Sequence, residues 1–511
     1  MKNKTPLNLQ QLREYGKELE QQNAFKVSQN ALWKNNLYQV CQDYTIAKKF
    51  NTEFSNDIKV SSSKITSQQS SGRCWIFATL NMIRDKFITH YNLENFEFSQ
   101  AYLHFWDKFE KANVFLNQMI ELKNTSISDW KLFLLLNTPM QEGGFFDWSK
   151  NLIKKYGLMP KTEMEDSFSS SNTLGVNKLI GIKLKQALVE FKNTEDELKL
   201  NEIKEKYLFA IYQILLTCYG YFPKRFDVCL KSKKNKTIRF ENITPLEFLE
   251  KTNFFIDNYL TMVHTPYRKI KPFQRYELEY TSAIYEDGNL IVNTVDKTVF
   301  KLLAIAMILM KKSAWFACDV DHFYSAKKGL WAKDLYNFKD FFDLDFSQSI
   351  ADHIEYCHTS SNHAMLLQGL NYDATKWEEI KTEFFKTHQE FNVEALLALI
   401  ALFPVDKWKV ENSWGEKSGN NGIFIIDHKW FEDYVYEVII NKKTILRFLK
   451  EMPILTKEEY AKFEVEKDTD KASIFFDLIF KKLFDSQPIK LEMTQPFNQF
   501  YQKGGKDGKD N

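Results

Sequence analysis

The sequence predicts an α+β fold in which a helical half comes first and a β-rich half follows. Two observations carry this. Long apolar and amphipathic runs without breakers dominate to about residue 260, whereas from residue 313 the apolar residues come in short, strand-length clusters separated by turns. A third bounds the size. The 511 residues are 44% hydrophobic and 27% charged, a globular composition that excludes disorder over the whole length. One core rarely grows beyond about 250–300 residues, so two or more lobes or large insertions are expected.

Residues 1–60 form an N-terminal helical or extended arm, because Leu7, Leu9, Leu12 and Tyr15 recur near helical spacing. Residues 61–175 form a helical lobe. It opens on a polar, Ser-rich turn from Ser61 to Arg73, and Cys74 through Arg84 then runs without a breaker as a buried helix. Residues 97–135 continue helical, Gly143-Gly144 interrupts, and 147–157 reads as a helix ending at Gly157. The charged stretch 176–270 is expected to be a helical insertion. Residues 271–440 form the β-rich lobe: a strand where 275–295 alternates, then strands at Ala314–Cys318, Ala364–Leu367, Trp408–Val410 and Gly422–Ile426, interrupted by a helical segment at 374–403. Residues 441–511 form an extended C-terminal arm, polar and Gly-rich from Tyr501 onward, where fraying is expected.

The charge balance narrows the function classes. Lys plus Arg is 69 and Asp plus Glu is 67, so no overall field draws in a polyanion, and nucleic acid is not an expected partner. The apolar runs Leu302–Met310 and Ala395–Phe403 fall far short of the ~20 residues of a membrane span and read as buried helices, so no membrane association is expected. No secretory signal is recognised at Met1–Leu7, and the six cysteines show no CxxC spacing, which together fit reduced thiols in a cytoplasmic protein. Cys and His are not clustered as a zinc site would require, and no metal or cofactor is expected.

Cys74 is the candidate nucleophile. It sits where a polar loop enters a helix, facing the positive end of the macrodipole, which favours thiolate. Arg73 either adds positive potential or points away. Cys41, Cys218, Cys229, Cys318 and Cys357 lack such a loop and read as structural thiols. A thiolate needs a base and an orienter. His363 lies where the polar turn Ser360-Ser361-Asn362 enters a strand, and Asn412 where the strand Trp408–Glu411 leaves into Ser413-Trp414-Gly415. An amide oxygen can accept from the imidazole and fix its tautomer without adding charge, and Trp414 is placed to cover that contact. In the loop before Cys74, the side-chain amide of Gln68 can donate to a developing oxyanion together with the Cys74 N–H; otherwise it is an ordinary loop glutamine.

The segments Gln68–Trp75, Asn362–Met365 and Val410–Gly415 resemble, in order and surroundings, the papain-like cysteine peptidases. Ser71-Gly72-Arg73-Cys74-Trp75 and Glu411-Asn412-Ser413-Trp414-Gly415 resemble more narrowly the bleomycin hydrolase and aminopeptidase C family. Gly143-Gly144, Tyr156–Lys161, Ser169–Thr173, Trp315–Val320 and Tyr434–Val438 extend the similarity from roughly residue 60 to 440. The resemblance implies a papain-like two-lobe fold with a helical lobe, a β-rich lobe and a cleft between them. It implies a cysteine aminopeptidase with Cys74 as nucleophile, His363 as general base and acid, Asn412 as orienter and Gln68 as oxyanion donor. Gly143 and Gly144 would bind peptide substrate as a backbone strip, or form an ordinary turn; Trp414 would border the same site. A homohexamer with its active sites on an internal channel is also implied.

Several features depart from the family. Ser67 stands where Asn is usual before the oxyanion glutamine, and the spacing between His363 and Asn412 is long. The intervening segment, with Trp377, Phe384 and Phe385, is expected to be core or subunit contact rather than a new binding surface. The chain after Val438 is also long, where the family ends in a short arm whose carboxylate blocks longer substrates. A cysteine endopeptidase of the same fold is therefore an alternative, and a non-catalytic binding or scaffold protein another.

Overall fold

The computed structural model describes residues 6–58 and 64–463, together with 476–477, 480–481, 483 and 486–491. The strands are β1 (Asn56–Asp57), β2 (Phe226–Lys231), β3 (Thr237–Ile243), β4 (Tyr259–Val263), β5 (Arg275–Leu278), β6 (Ile291–Thr294), β7 (Ala314–Cys318), β8 (Tyr324–Ser325), β9 (Leu330–Trp331), β10 (His363–Tyr372), β11 (Val405–Glu411), β12 (Ile423–Asp427), β13 (Val435–Asn441) and β14 (Ile489–Leu491). All but β2 and β3 form one sheet in the order β14-β5-β6-β4-β13-β7-β10-β11-β12-β9-β8, with β1 paired to β10. The four strands expected at 314–318, 364–367, 408–410 and 422–426 are β7, β10, β11 and β12, and they lie side by side at the centre.

The helical half packs across this sheet. The helix Cys74–Tyr91 buries every residue from Cys74 to Arg84, which is why the sequence shows an apolar run there with no polar face. It lies against β10, and Trp315 of β7 donates its indole N–H to Trp75 O at 3.2 Å. The helix Gln100–Glu121 starts at Ser99, whose hydroxyl accepts the Tyr102 N–H at 3.1 Å. Side chains of both halves enter one continuous core, with Trp75 and Phe105 from the helices and Trp315, Met365 and Trp408 from the sheet.

Three expectations are corrected. The stretch 176–270 is not all helical: strands interrupt it, and after the hairpin only the short helix Pro245–Lys251 and one turn at Ile256–Asn258 are helical. Helices Leu174–Lys192 and Glu197–Tyr219 pack on Gln100–Glu121, but the β2–β3 hairpin follows and β4 joins the main sheet. The alternation over 275–295 is not one strand. Gly288 turns the chain at φ 71°, so β5 and β6 pair antiparallel across that turn. Cys229 and Cys357 are exposed rather than buried. Period-two alternation points Cys229 out of β2, and Cys357 sits in a turn at φ 65°.

The segment 374–403 forms helices Ala374–Thr387 and Val393–Ala401. Their Trp377, Phe384, Leu399 and Ile400 belong to the chain's own core. Beyond β13, helix Lys442–Glu451 packs back on β13 and β14 extends the sheet beside β5. The terminal residues 501–511 lie outside the described residues. Among the described residues, no helix is long and apolar enough to cross a membrane.

Candidate active site

Four elements bring the predicted residues together. Cys74 is the first residue of its helix and is 5% exposed. The Ala364 N–H, one residue beyond His363, faces its thiol. His363 opens β10 at 4% exposure, so the imidazole belongs to the residue directly before the N–H that faces the thiol. The His363 Nε2 and Asn412 Oδ1 are 2.8 Å apart, and Trp414 stacks on the imidazole with ring centroids 4.9 Å apart. The same Oδ1 accepts the Ser413 N–H at 2.7 Å, which fixes the amide.

Gln68 is buried and held from both ends of its amide. Its Oε1 accepts from Ser413 Oγ at 2.7 Å, and its Nε2 donates to Ser71 O at 2.7 Å. An NH2 group carries two hydrogens, so one is committed and one is left for a substrate oxygen. Ser413 and Ser71 were not singled out by sequence reasoning. Both stand inside the motifs, but serine hydroxyls carry no spacing signal of their own.

Arg73 points away from the thiol. Its guanidinium is fully buried, pairs with Asp166 at 2.5 Å and lies over the Phe77 ring. The nearer charge is Glu142, whose Oε2 accepts the Gly72 N–H at 2.7 Å and whose Oε1 pairs with Lys108 at 2.5 Å. Burial alone would raise Glu142, but Lys108 beside it holds the carboxyl well below the usual range. Gly143 lies against this loop, donating its N–H to Gly72 O at 3.0 Å, and Lys111 Nζ reaches Gly143 O at 2.9 Å. A Cβ on Gly144 would stand 2.6 Å from the Trp75 ring, so that glycine is needed by the protein's own packing. At Gly143 a Cβ would meet open space, and the constraint there is φ 82°.

The helix-start field does not dominate the thiol. Burial pushes Cys74 up to about 11, with the Ala364 N–H opposing and Glu142 adding to the rise. Burial likewise pushes His363 down to about 4, opposed by the bond to Asn412. Each group taken alone is therefore neutral near pH 7.

A cysteine at a helix start, faced by the N–H next to an imidazole that an asparagine amide holds under a tryptophan, on helices packed across a mixed sheet with antiparallel central strands, defines the papain-like class of cysteine peptidase folds. The chain belongs to the Peptidase C1-like family, whose profile matches residues 6–385 and 401–459. The break in that match falls inside the helical segment between His363 and Asn412, and the match stops before the last part of the chain. Aminopeptidase C of Listeria monocytogenes serovar 1/2a is 31% identical over 450 residues, 88% of this chain and 95% of that protein. Aminopeptidase C of Lactococcus lactis subsp. cremoris is 32% identical over 417 residues, 81% and 86% of the two chains. The crystal structure of PepW from Lactobacillus rhamnosis HN001 superposes with a TM-score of 0.81 at 26% identity, covering 97% of this chain and 99% of that one.

Proposed function

We propose that the protein is a cysteine aminopeptidase in which Cys74 is the nucleophile, His363 the general base and acid, Asn412 its orienter and Gln68 an oxyanion donor. The observation that carries this is the His363–Asn412 bond under Trp414, next to the strand N–H that faces the Cys74 thiol. The Cys74 proton moves to His363 Nδ1 as sulfur attacks the scissile carbonyl. The oxyanion is stabilised by the free N–H of Gln68 and by the Cys74 backbone N–H at the helix start. The imidazolium then protonates the departing amine as the C–N bond breaks, and the neutral ring left behind takes a proton from water as its oxygen attacks the acyl carbon and the C–S bond breaks. Gly143 and Gly144 flank the acyl side as a backbone strip for peptide, and Trp414 borders the leaving-group side.

Removal of N-terminal residues is taken from the aminopeptidase names of the relatives. The family match ends at residue 459, so the profile itself carries nothing about the chain beyond it. That observation favours an endopeptidase as the second reading. Peptides with free and acetylated N-termini separate the two: an aminopeptidase cleaves only the free form, an endopeptidase both. A cytoplasmic location fits the six free cysteines. A homohexamer fits the opening helices Leu9–Gln21 and Asn23–Leu32, which bury no residue and expose Leu9, Leu12, Leu19 and Val27.

A further inference from the structure

We propose that the buried carboxylate of Glu411 is a positioning residue that registers the three elements carrying Cys74, His363 and Asn412 against one another. This rests on the catalytic reading above and deepens it. Glu411 ends β11, directly before Asn412, and pairs with Leu366 of β10 across the sheet. Its side chain is 1% exposed. Oε1 accepts from Asn81 Nδ2 at 3.0 Å and from Arg84 Nη2 at 3.2 Å, both on the Cys74 helix. Oε2 accepts from Gln368 Nε2, on the strand that begins with His363. The Asn81 amide also donates to Thr66 Oγ1 at 2.9 Å, in the loop that leads to Gln68. One carboxylate thus bonds to the helix of the nucleophile and the strand of the base, from the residue beside the orienter.

A merely cohesive role would not require a charge here. Apolar residues of similar volume often join two elements with no loss of stability, because a buried ion pair is costly to desolvate. What a carboxylate adds is direction: two oxygens accept from three donors in fixed geometry, so sliding of the helix along the sheet breaks bonds that apolar packing would tolerate. Burial raises Glu411 and Asp85 alike, and the Arg84 cation opposes the rise at both. The hydrogen bonds from Arg84, Asn81 and Gln368 all go to Glu411.

The test is Glu411→Gln in the full-length protein, with Cys74→Ser as control. An amide keeps the shape but puts an NH2 where the wild type has only acceptors, against Arg84 or Gln368. A small misplacement of reacting groups costs up to about 10²-fold. We expect kcat on an aminoacyl substrate to fall about 10–100-fold with KM within about threefold. Alkylation of Cys74 by iodoacetamide should slow by a similar factor while thermal unfolding stays cooperative. If Glu411→Gln does not fold, Gln368→Met removes one donor at constant volume and is expected to lower kcat and the alkylation rate together, about 3–10-fold. The proposal is overturned if the folded variant keeps kcat and alkylation within about twofold of wild type, or if kcat falls only in proportion to unfolded protein. Activity persisting in Cys74→Ser would instead remove the catalytic reading on which the proposal rests.

Discussion

Burial raises Cys74 and the Ala364 N–H opposes the rise, and in the proposed mechanism His363 takes the proton that burial holds on sulfur. With the imidazole in place but the proton still on sulfur, burial places the thiol at about 11. Since the thiolate is the reactive form, a thiol held that high stays almost wholly protonated at pH 7. His363→Ala is therefore predicted to collapse iodoacetamide alkylation at neutral pH and to move the midpoint of the rate–pH curve toward the high value. An alkylation profile unchanged by that substitution would show that the ring does not hold the proton. At Gln68 the prediction concerns turnover. Its amide is pinned by Ser413 and Ser71 with one N–H spare, so Gln68→Ala should lower kcat by roughly 10²–10³ with little change in KM. A loss confined to KM would place the side chain in ground-state binding instead.

Among the elements, the loop pair around Gly72 and Gly143 joins the helix start to the candidate substrate strip. Gly144→Ala puts a methyl 2.6 Å from the Trp75 indole, and overpacking of this kind costs about 1–3 kcal/mol. A denaturant titration should show that loss as a lower midpoint, and an unchanged midpoint would mean that Trp75 moves freely. Elements whose burial is complete on all sides were legible in the sequence. The helix segment Cys74–Arg84 and β7 read as mainly apolar runs without a polar face because neither has a solvent face. The loop-borne residues at their ends, Cys74, His363 and Asn412, were legible because breakers mark those ends. The hairpin β2–β3 was not, since its strands carry only partial alternation and the turn between them, Ser232–Lys236, is Lys-rich and sits inside a charged stretch. The buried partners Asp166, Lys108 and Glu142 were hidden for a different reason. Long-range pairing leaves no local pattern, and a charged residue reads as solvated until its partner is seen. Arg73 shows this directly: sequence left its direction open, and the distant Asp166 sets it.

At the scale of the whole molecule, the sheet and the helical half share one core, so the catalytic geometry depends on their relative register. Assembly is a separate question, because the first two helices expose their apolar residues. Light scattering on the full-length protein is expected to give about six times the 60.5 kDa of one chain, and a monomer would contradict the hexamer. The central claim is that Cys74 removes residues from free peptide N-termini. It is tested most directly by incubating one peptide, with a free or an acetylated N-terminus, with wild-type and Cys74→Ser protein. The account predicts stepwise loss of N-terminal residues from the free peptide by wild type alone. Cleavage of the acetylated peptide at an equal rate, or by the Cys74→Ser protein, would contradict it.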